Sequence, residues 1–241
     1  MKKGFRYFLL STVFFAISPM IWADEVPTIN PTAKFTDSEG TQQEGITFSG
    51  SAPITCIFFA NPENTAGWNA TYEWRFTKVG TTSPYLIRHE ENTQFDITEF
   101  GEHRIELYAT FTQGNDTIKY TEAYWNNGGG TPLTITVSES SLSMPNAFSP
   151  NGDGINDIYK AKDGYKSIVK FKAVIYNRWG QKIFEWNNPA EGWDGTIHGK
   201  DAKQGVYFVH VEAKGADGRT FNIKRDVNLL RGYTDGTNST D

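Results

Sequence analysis

Asn151, Asp153 and Asp157 bring three oxygen-bearing side chains into one glycine-rich run, Asn151-Gly152-Asp153-Gly154-Ile155-Asn156-Asp157. Hard oxygen ligands at alternate positions of a tight loop are what a calcium ion takes. Two features point the other way. Ile155 stands where such a loop wants another Asp or Asn. Lys162 stands at the twelfth position, where a glutamate normally closes the calcium shell. The same side chains can instead bond to the loop's own backbone N–H groups, and the spacing favours this Asx-turn array. Other chemistry-bearing residues are scattered. His89, His103, His198 and His210 form no pair at metal-ligand spacing, and no nucleophile elbow, HExxH or phosphate loop is present. Cys56, the single cysteine, lies in the apolar run Ile54-Thr55-Cys56-Ile57-Phe58-Phe59. That is the setting of a buried inert thiol, not of a nucleophile. Scattered carboxylates are present in any β protein, so they do not by themselves indicate a glycosidase. No enzyme and no required cofactor are expected.

Aromatic residues make up 15% of the chain, enough to ask whether some are displayed. Trp68, Tyr72, Tyr124 and Trp125 could form a face for a glycan or protein ligand. Trp179 and Trp193 could be sugar platforms. Beside turns, such residues are expected to plug a core instead.

The elements that would position these residues are short strands. Tyr72, Trp74 and Phe76 alternate along 71–78. Ile105, Leu107, Ala109 and Phe111 alternate along 104–111, opposite Arg104, Glu106, Tyr108 and Thr110. Period two with one apolar face means a half-buried antiparallel strand. Further strands are predicted over 45–49, 53–60, 85–89, 94–97, 117–125 and 133–137, with an edge strand near 33–36 and a flexible loop over 126–130. Beyond residue 144, strands are predicted over 170–176, 182–186, 205–213 and 220–230. Asn177–Gln181 is expected to be a hairpin turn and 193–195 a compact turn. Gly, Pro and Asx residues punctuate these runs. The predicted class is all-β, with two antiparallel β-sandwich, Ig-like domains in tandem.

The chain has 241 residues and a net charge of −5. Lys2, Lys3 and Arg6 precede an apolar stretch over 8–17 that is too short to span a membrane. Residues 1–23 are expected to be a signal peptide cut after Ala23. Its removal leaves 20 basic and 28 acidic residues. An acidic chain with no basic block is not expected to bind nucleic acid or an anionic membrane, and no later stretch is apolar enough to span a bilayer.

The loop at 144–157 separates the two β-rich segments, and an ordered set of motifs follows it. These are Tyr176-Asn177-Arg178-Trp179-Gly180, Gly192-Trp193-Asp194-Gly195-Thr196, Gly205-Val206-Tyr207 and Leu229-Leu230-Arg231. With Pro145, Asn146, Phe148, Ser149, Pro150, Asn151, Gly152, Asp153, Gly154, Asn156 and Asp157, this set resembles the gliding-motility-associated C-terminal domain of Bacteroidetes. That family is a type B sorting domain of the type IX secretion system. The resemblance covers about 145–231. It implies that residues 144–231 are an address read by the type IX machinery, followed by a polar tail at 232–241, and that the protein is exported to the medium or the outer cell surface. Residues 24–143 resemble a PKD or related Ig-like domain, on Tyr72-Glu73-Trp74-Arg75-Phe76 and on Gly101-Glu102-His103-Arg104-Ile105-Glu106-Leu107. The usual Gly-Asp-Gly after the aromatic strand is replaced by Thr77-Lys78-Val79-Gly80. This segment is expected to be an interaction or spacer module. The alternative is a carbohydrate-binding or adhesin role through its aromatics. Asp116-Thr117-Ile118 resembles the O-glycosylation site of Bacteroidetes secreted proteins, a three-residue pattern that a turn-to-strand junction also produces.

Overall fold

The computed structural model describes residues 26–231. The expected signal peptide and the expected tail at 232–241 lie outside the described residues. The described chain is all-β apart from one short helix.

The first segment contains β1 (Thr32–Thr36), β2 (Gln42–Gly45), β3 (Thr47–Gly50), β4 (Ile54–Phe59), β5 (Asn69–Lys78), β6 (Leu86–Arg88), β7 (Thr93–Ile97), β8 (Gly101–Gln113), β9 (Asp116–Tyr120), helix α1 (Glu122–Asn126) and β10 (Leu133–Val137). One sheet runs β2-β1-β4-β7. The other runs β3-β10-β8-β5-β6, with β9 also on β8. Alternation dictates the inward faces: Ile54, Cys56 and Phe58 from β4, Trp74 and Phe76 from β5, and Ile105, Leu107, Ala109 and Phe111 from β8 are all buried. The sheets meet through aromatic contacts. The Phe58 ring lies 5.6 Å from Trp74 and 5.2 Å from Phe76. Each such buried aromatic contributes about 1.5–3 kcal/mol of transfer free energy.

Three expectations change here. The segment at 33–36 is an interior strand, because the polar β2 folds back beside it. Asp37 holds that reversal by accepting the N–H groups of Glu39 and Thr41. Pairing is not wholly antiparallel, since β3 runs parallel to β10. The predicted strand over 117–125 stops at Tyr120, and α1 follows. Tyr120 and Tyr124 are four residues apart, an even spacing that fits both a strand face and one turn of helix. The reason for the helix lies on β8. Residues Gly101–Ile105 of β8 pair with β10, and Ala109–Gln113 pair with β9 on the same edge. Leu107 falls between the two partners. Its carbonyl is satisfied by the Trp125 indole Nε1–H at 3.2 Å. The loop after α1 is also packed: a Cβ on Gly129 would lie 2.4 Å from the Tyr124 ring.

The second segment contains β11 (Ala147–Phe148), β12 (Tyr159–Lys160), β13 (Ile168–Tyr176), β14 (Lys182–Trp186), β15 (Gly192–Trp193), β16 (Thr196–Ile197), β17 (Lys200–Asp201), β18 (Gly205–Gly215) and β19 (Thr220–Leu229). Its main sheet is β11-β19-β18-β13-β14, antiparallel except for the β11–β19 pair. Phe171, Ala173 and Ile175 from β13 are buried in one core with Tyr207, Val209 and Val211 from β18 and with Val227 and Leu229 from β19. Short ribbons, β12 with β15 and β16 with β17, take the place of a second full sheet. Phe148, Tyr159 and Trp193 close the core, with the Trp193 ring 5.3 Å from Phe148 and 4.9 Å from Tyr207.

The segments also touch away from the linker. The Ser167 hydroxyl accepts the Ala52 N–H at 3.1 Å and shares a bond with the Ser138 hydroxyl at 2.9 Å. Asp217 accepts both the N–H and the hydroxyl of Ser140. Phe100 N–H donates to the Ala216 carbonyl at 3.1 Å.

Candidate functional site

The loop at 144–157 is built around Asp157. One carboxylate oxygen accepts the N–H groups of Asn151 at 3.0 Å and Gly152 at 2.8 Å. The other accepts Gly154 N–H at 2.8 Å. The Asn151 and Asp153 side chains each accept the N–H two residues on. The N–H bonds from Gly152, Gly154 and Asn151 hold the Asp157 carboxyl below its ordinary range. So Asn151, Asp153 and Asp157 do come together, with their oxygens turned towards backbone donors. Among the described residues no group of three or more His, Cys, Asp or Glu is placed to hold a metal ion. The ends of the loop are tied to the sheet. Tyr159 hydroxyl donates to the Pro145 carbonyl at 2.9 Å, and Asn228 N–H donates to the Asn146 carbonyl at 2.9 Å.

A second group of motif residues forms a clasp. Arg231 donates to the carbonyls of Gly195 at 2.7 Å, Ala202 at 3.0 Å and Pro150 at 3.4 Å, and its guanidinium lies 3.3 Å from Asp201. Gly195 makes this possible. Its φ is +78°, and a Cβ there would lie 2.9 Å from Pro150 Cγ. Asp194 accepts both the N–H and the hydroxyl of Thr196, and the Trp193 indole donates to the Thr196 carbonyl at 2.7 Å. Trp193 is fully buried, as a core plug should be. Tyr207 hydroxyl donates to the Lys203 carbonyl at 2.8 Å. Burial pushes the Tyr207 phenol up, and the nearby Arg231 and Arg178 charges partly offset this.

The third group is the β13–β14 turn. Asn177 Oδ1 accepts the N–H groups of Trp179 and Gln181, and Gly180 takes φ +76°. Trp179 departs from expectation. It is 71% exposed and plugs no core. Its neighbour Arg178 stacks on it instead, 4.4 Å from the ring centroid. With Gly205, Tyr207 and Lys203, these residues line a cleft of about 400 Å³. Two motifs far apart in sequence therefore converge on one surface.

In the first segment the four candidate aromatics pack against the core. Trp125 is corrected to a core residue: it is 4% exposed and its N–H is spent on Leu107. Trp68, Tyr72 and Tyr124 are half-buried against the same core. Tyr124 meets Tyr120 at 88° and Trp125 at 79°, edge to face. Cys56 is buried, its thiol pushed up to about 12 by desolvation and then by the Asp96 charge. Nothing in the sequence marks Ser167 and Asp217, the residues that join the segments. Nor does the sequence single out Asn228, which holds the 144–157 loop from a different strand.

The described chain is thus all-β, with a C-terminal part made of one five-stranded sheet closed by short ribbons and a clasped loop. Residues 142–224 match the CHU_C Type IX secretion signal domain. That match begins two residues before the expected boundary loop and ends before Arg231. No curated protein matches the chain. No helix among the described residues is long and apolar enough to cross a membrane.

Proposed function

We propose that this is a non-catalytic protein exported through the type IX secretion system, with its C-terminal domain as the address and its first segment as a PKD-like interaction or spacer module. The observation that carries this is the match of 142–224 to a type IX secretion signal domain. The two-domain reading is supported by two separate buried clusters, one per segment. In this reading the first segment is an Ig-like sandwich, the second is one sheet closed by short ribbons, and the destination is the medium or the outer cell surface. The Asx-bonded loop supports a domain that folds without calcium. The spacer role has more support than glycan binding, because the candidate aromatics are half-buried or buried and meet edge to face. The test fuses a reporter between a signal peptide and residues 145–241. Export would be assayed in Bacteroidetes hosts with and without a working translocon. Reporter outside the cell only with the translocon is the expected result. Periplasmic retention in both strains would sink the address role.

A further inference from the structure

Folding accounts for most motif residues of the second segment, but not for Arg178 and Trp179. The turn needs Asn177 for its side-chain bonds and Gly180 for its positive φ. It places no demand on the two side chains between them. Yet an indole stands largely in solvent with a guanidinium stacked on it. We propose that the cleft between the β13–β14 turn and the start of β18 is where an acidic protein segment of the export machinery grips this domain. This rests on the type IX reading above.

The lining specifies that chemistry. Trp179, Ile197 and Val206 supply apolar surface, and Arg178 and Lys203 supply positive charge. The acidic lining residue, Asp201, is already engaged by Arg231. The cleft is thus cationic on a chain of net charge −5. The apolar surface continues along the outer face of β18, where Val206 and Phe208 are both exposed. Exposed Trp and Arg beside a concave apolar strip have the composition of an interaction hot spot. A carboxylate meets Arg178 and Lys203 while an apolar neighbour lies over Trp179 and Val206. A neutral glycan would use the indole and leave both cations without a role.

The test expresses the full chain in a host with a working translocon and measures its extracellular fraction. The variants are Arg178→Glu with Lys203→Glu, and separately Trp179→Ala. Thermal unfolding of the purified chains checks that each folds as the wild type does. If charge reversal lowers the midpoint, the double alanine variant at 178 and 203 replaces it. The expected result is a drop of about tenfold or more in exported protein for both classes of variant, the scale of losing a hot-spot contact. Wild-type export of the folded variants would overturn the cleft and leave the secretion signal standing. Loss with Trp179→Ala alone would overturn the acidic partner in favour of a neutral ligand such as a glycan. Wild-type export that does not need the translocon would overturn the secretion reading, and the cleft's role with it.

Discussion

His103 is buried, and both its ring nitrogens are committed. Nε2 lies 2.9 Å from the Glu99 carbonyl, which can only accept, so this nitrogen carries the hydrogen. Nδ1 then accepts from the Tyr85 hydroxyl at 3.0 Å. Desolvation lowers the His103 pKa and the Lys78 charge adds to this, while the Glu99 carbonyl and charge oppose it. The folded chain therefore holds the ring neutral below the unfolded pKa of about 6.5. Above that pH both states are neutral and the full stability is present. As pH falls below it, the unfolded chain takes up the proton first and stability drops, until the folded pKa is passed. Urea midpoints between pH 7.5 and pH 5 should fall for the wild type. The fall should be smaller for His103→Gln, and an equal fall in both would refute the assignment. Two tryptophans that look alike in sequence differ in their partners. Trp193 is sealed by a carbonyl partner and two rings, whereas Trp179 has only Arg178.

Among the elements, α1 is the least self-sufficient. Its N-cap residue, Thr121, makes no side-chain capping bond, and five residues are too few for a stable isolated helix. It persists because Trp125 fills the gap between β10 and β9. Trp125→Phe keeps an aromatic ring and removes the N–H to Leu107. The buried carbonyl left without a partner should cost about 1–3 kcal/mol, whereas Trp125→Ala should cost about 3–5 kcal/mol. Chemical denaturation of both variants would show that ordering, and an unchanged stability for Trp125→Phe would mean the hydrogen bond contributes nothing. The clasp in the second segment follows similar logic. Arg231→Met keeps the aliphatic stem, leaves the Ala202 and Pro150 carbonyls without the guanidinium donor, and leaves the Gly195 carbonyl with the Ala202 N–H alone. A loss of about 2–3 kcal/mol is expected, given the strength of hydrogen bonds to charged groups. Hydrogen exchange should speed up at Ala202, whose N–H donates to Gly195 within the clasp. Unchanged exchange there would show that the clasp is not cooperative.

At the scale of the whole molecule, the junction couples the two cores. Ser167 sits at φ +48° with its hydroxyl on Ala52 and Ser138, and Asp217 reaches Ser140. The fit is close, since a Cβ on Gly215 would lie 2.1 Å from Ser140 Oγ. Val169 and Ala216 from the second segment pack against the first core. Wild-type protein should therefore unfold in one calorimetric transition. Ser167→Ala with Asp217→Ala should split it into two, each core retaining its own cooperativity. A single transition in the double variant would place the coupling elsewhere.

Composition, alternation and motif order determined the all-β class, the inward faces of β5, β8 and β18, the hairpin at 177–181 and the type IX signal. Those features are local or periodic, and a strand's buried face follows from which alternate residues are apolar. The Asx array at 151–157 was legible for the same reason: its bonds span few residues. Tertiary structure alone decided the rest. Whether Tyr124 and Trp125 extend a strand or form a helix depended on an unpaired carbonyl at Leu107, on a strand met earlier in the chain. Whether Trp179 or Trp193 is buried depended on which turn lies over the five-stranded sheet. The junction at Ser167 and Asp217 and the cleft beside Arg178 join residues from separate strands and loops. No spacing records such meetings, because the free energy that fixes them is gained only when each core has formed and, for the junction, when the two have docked.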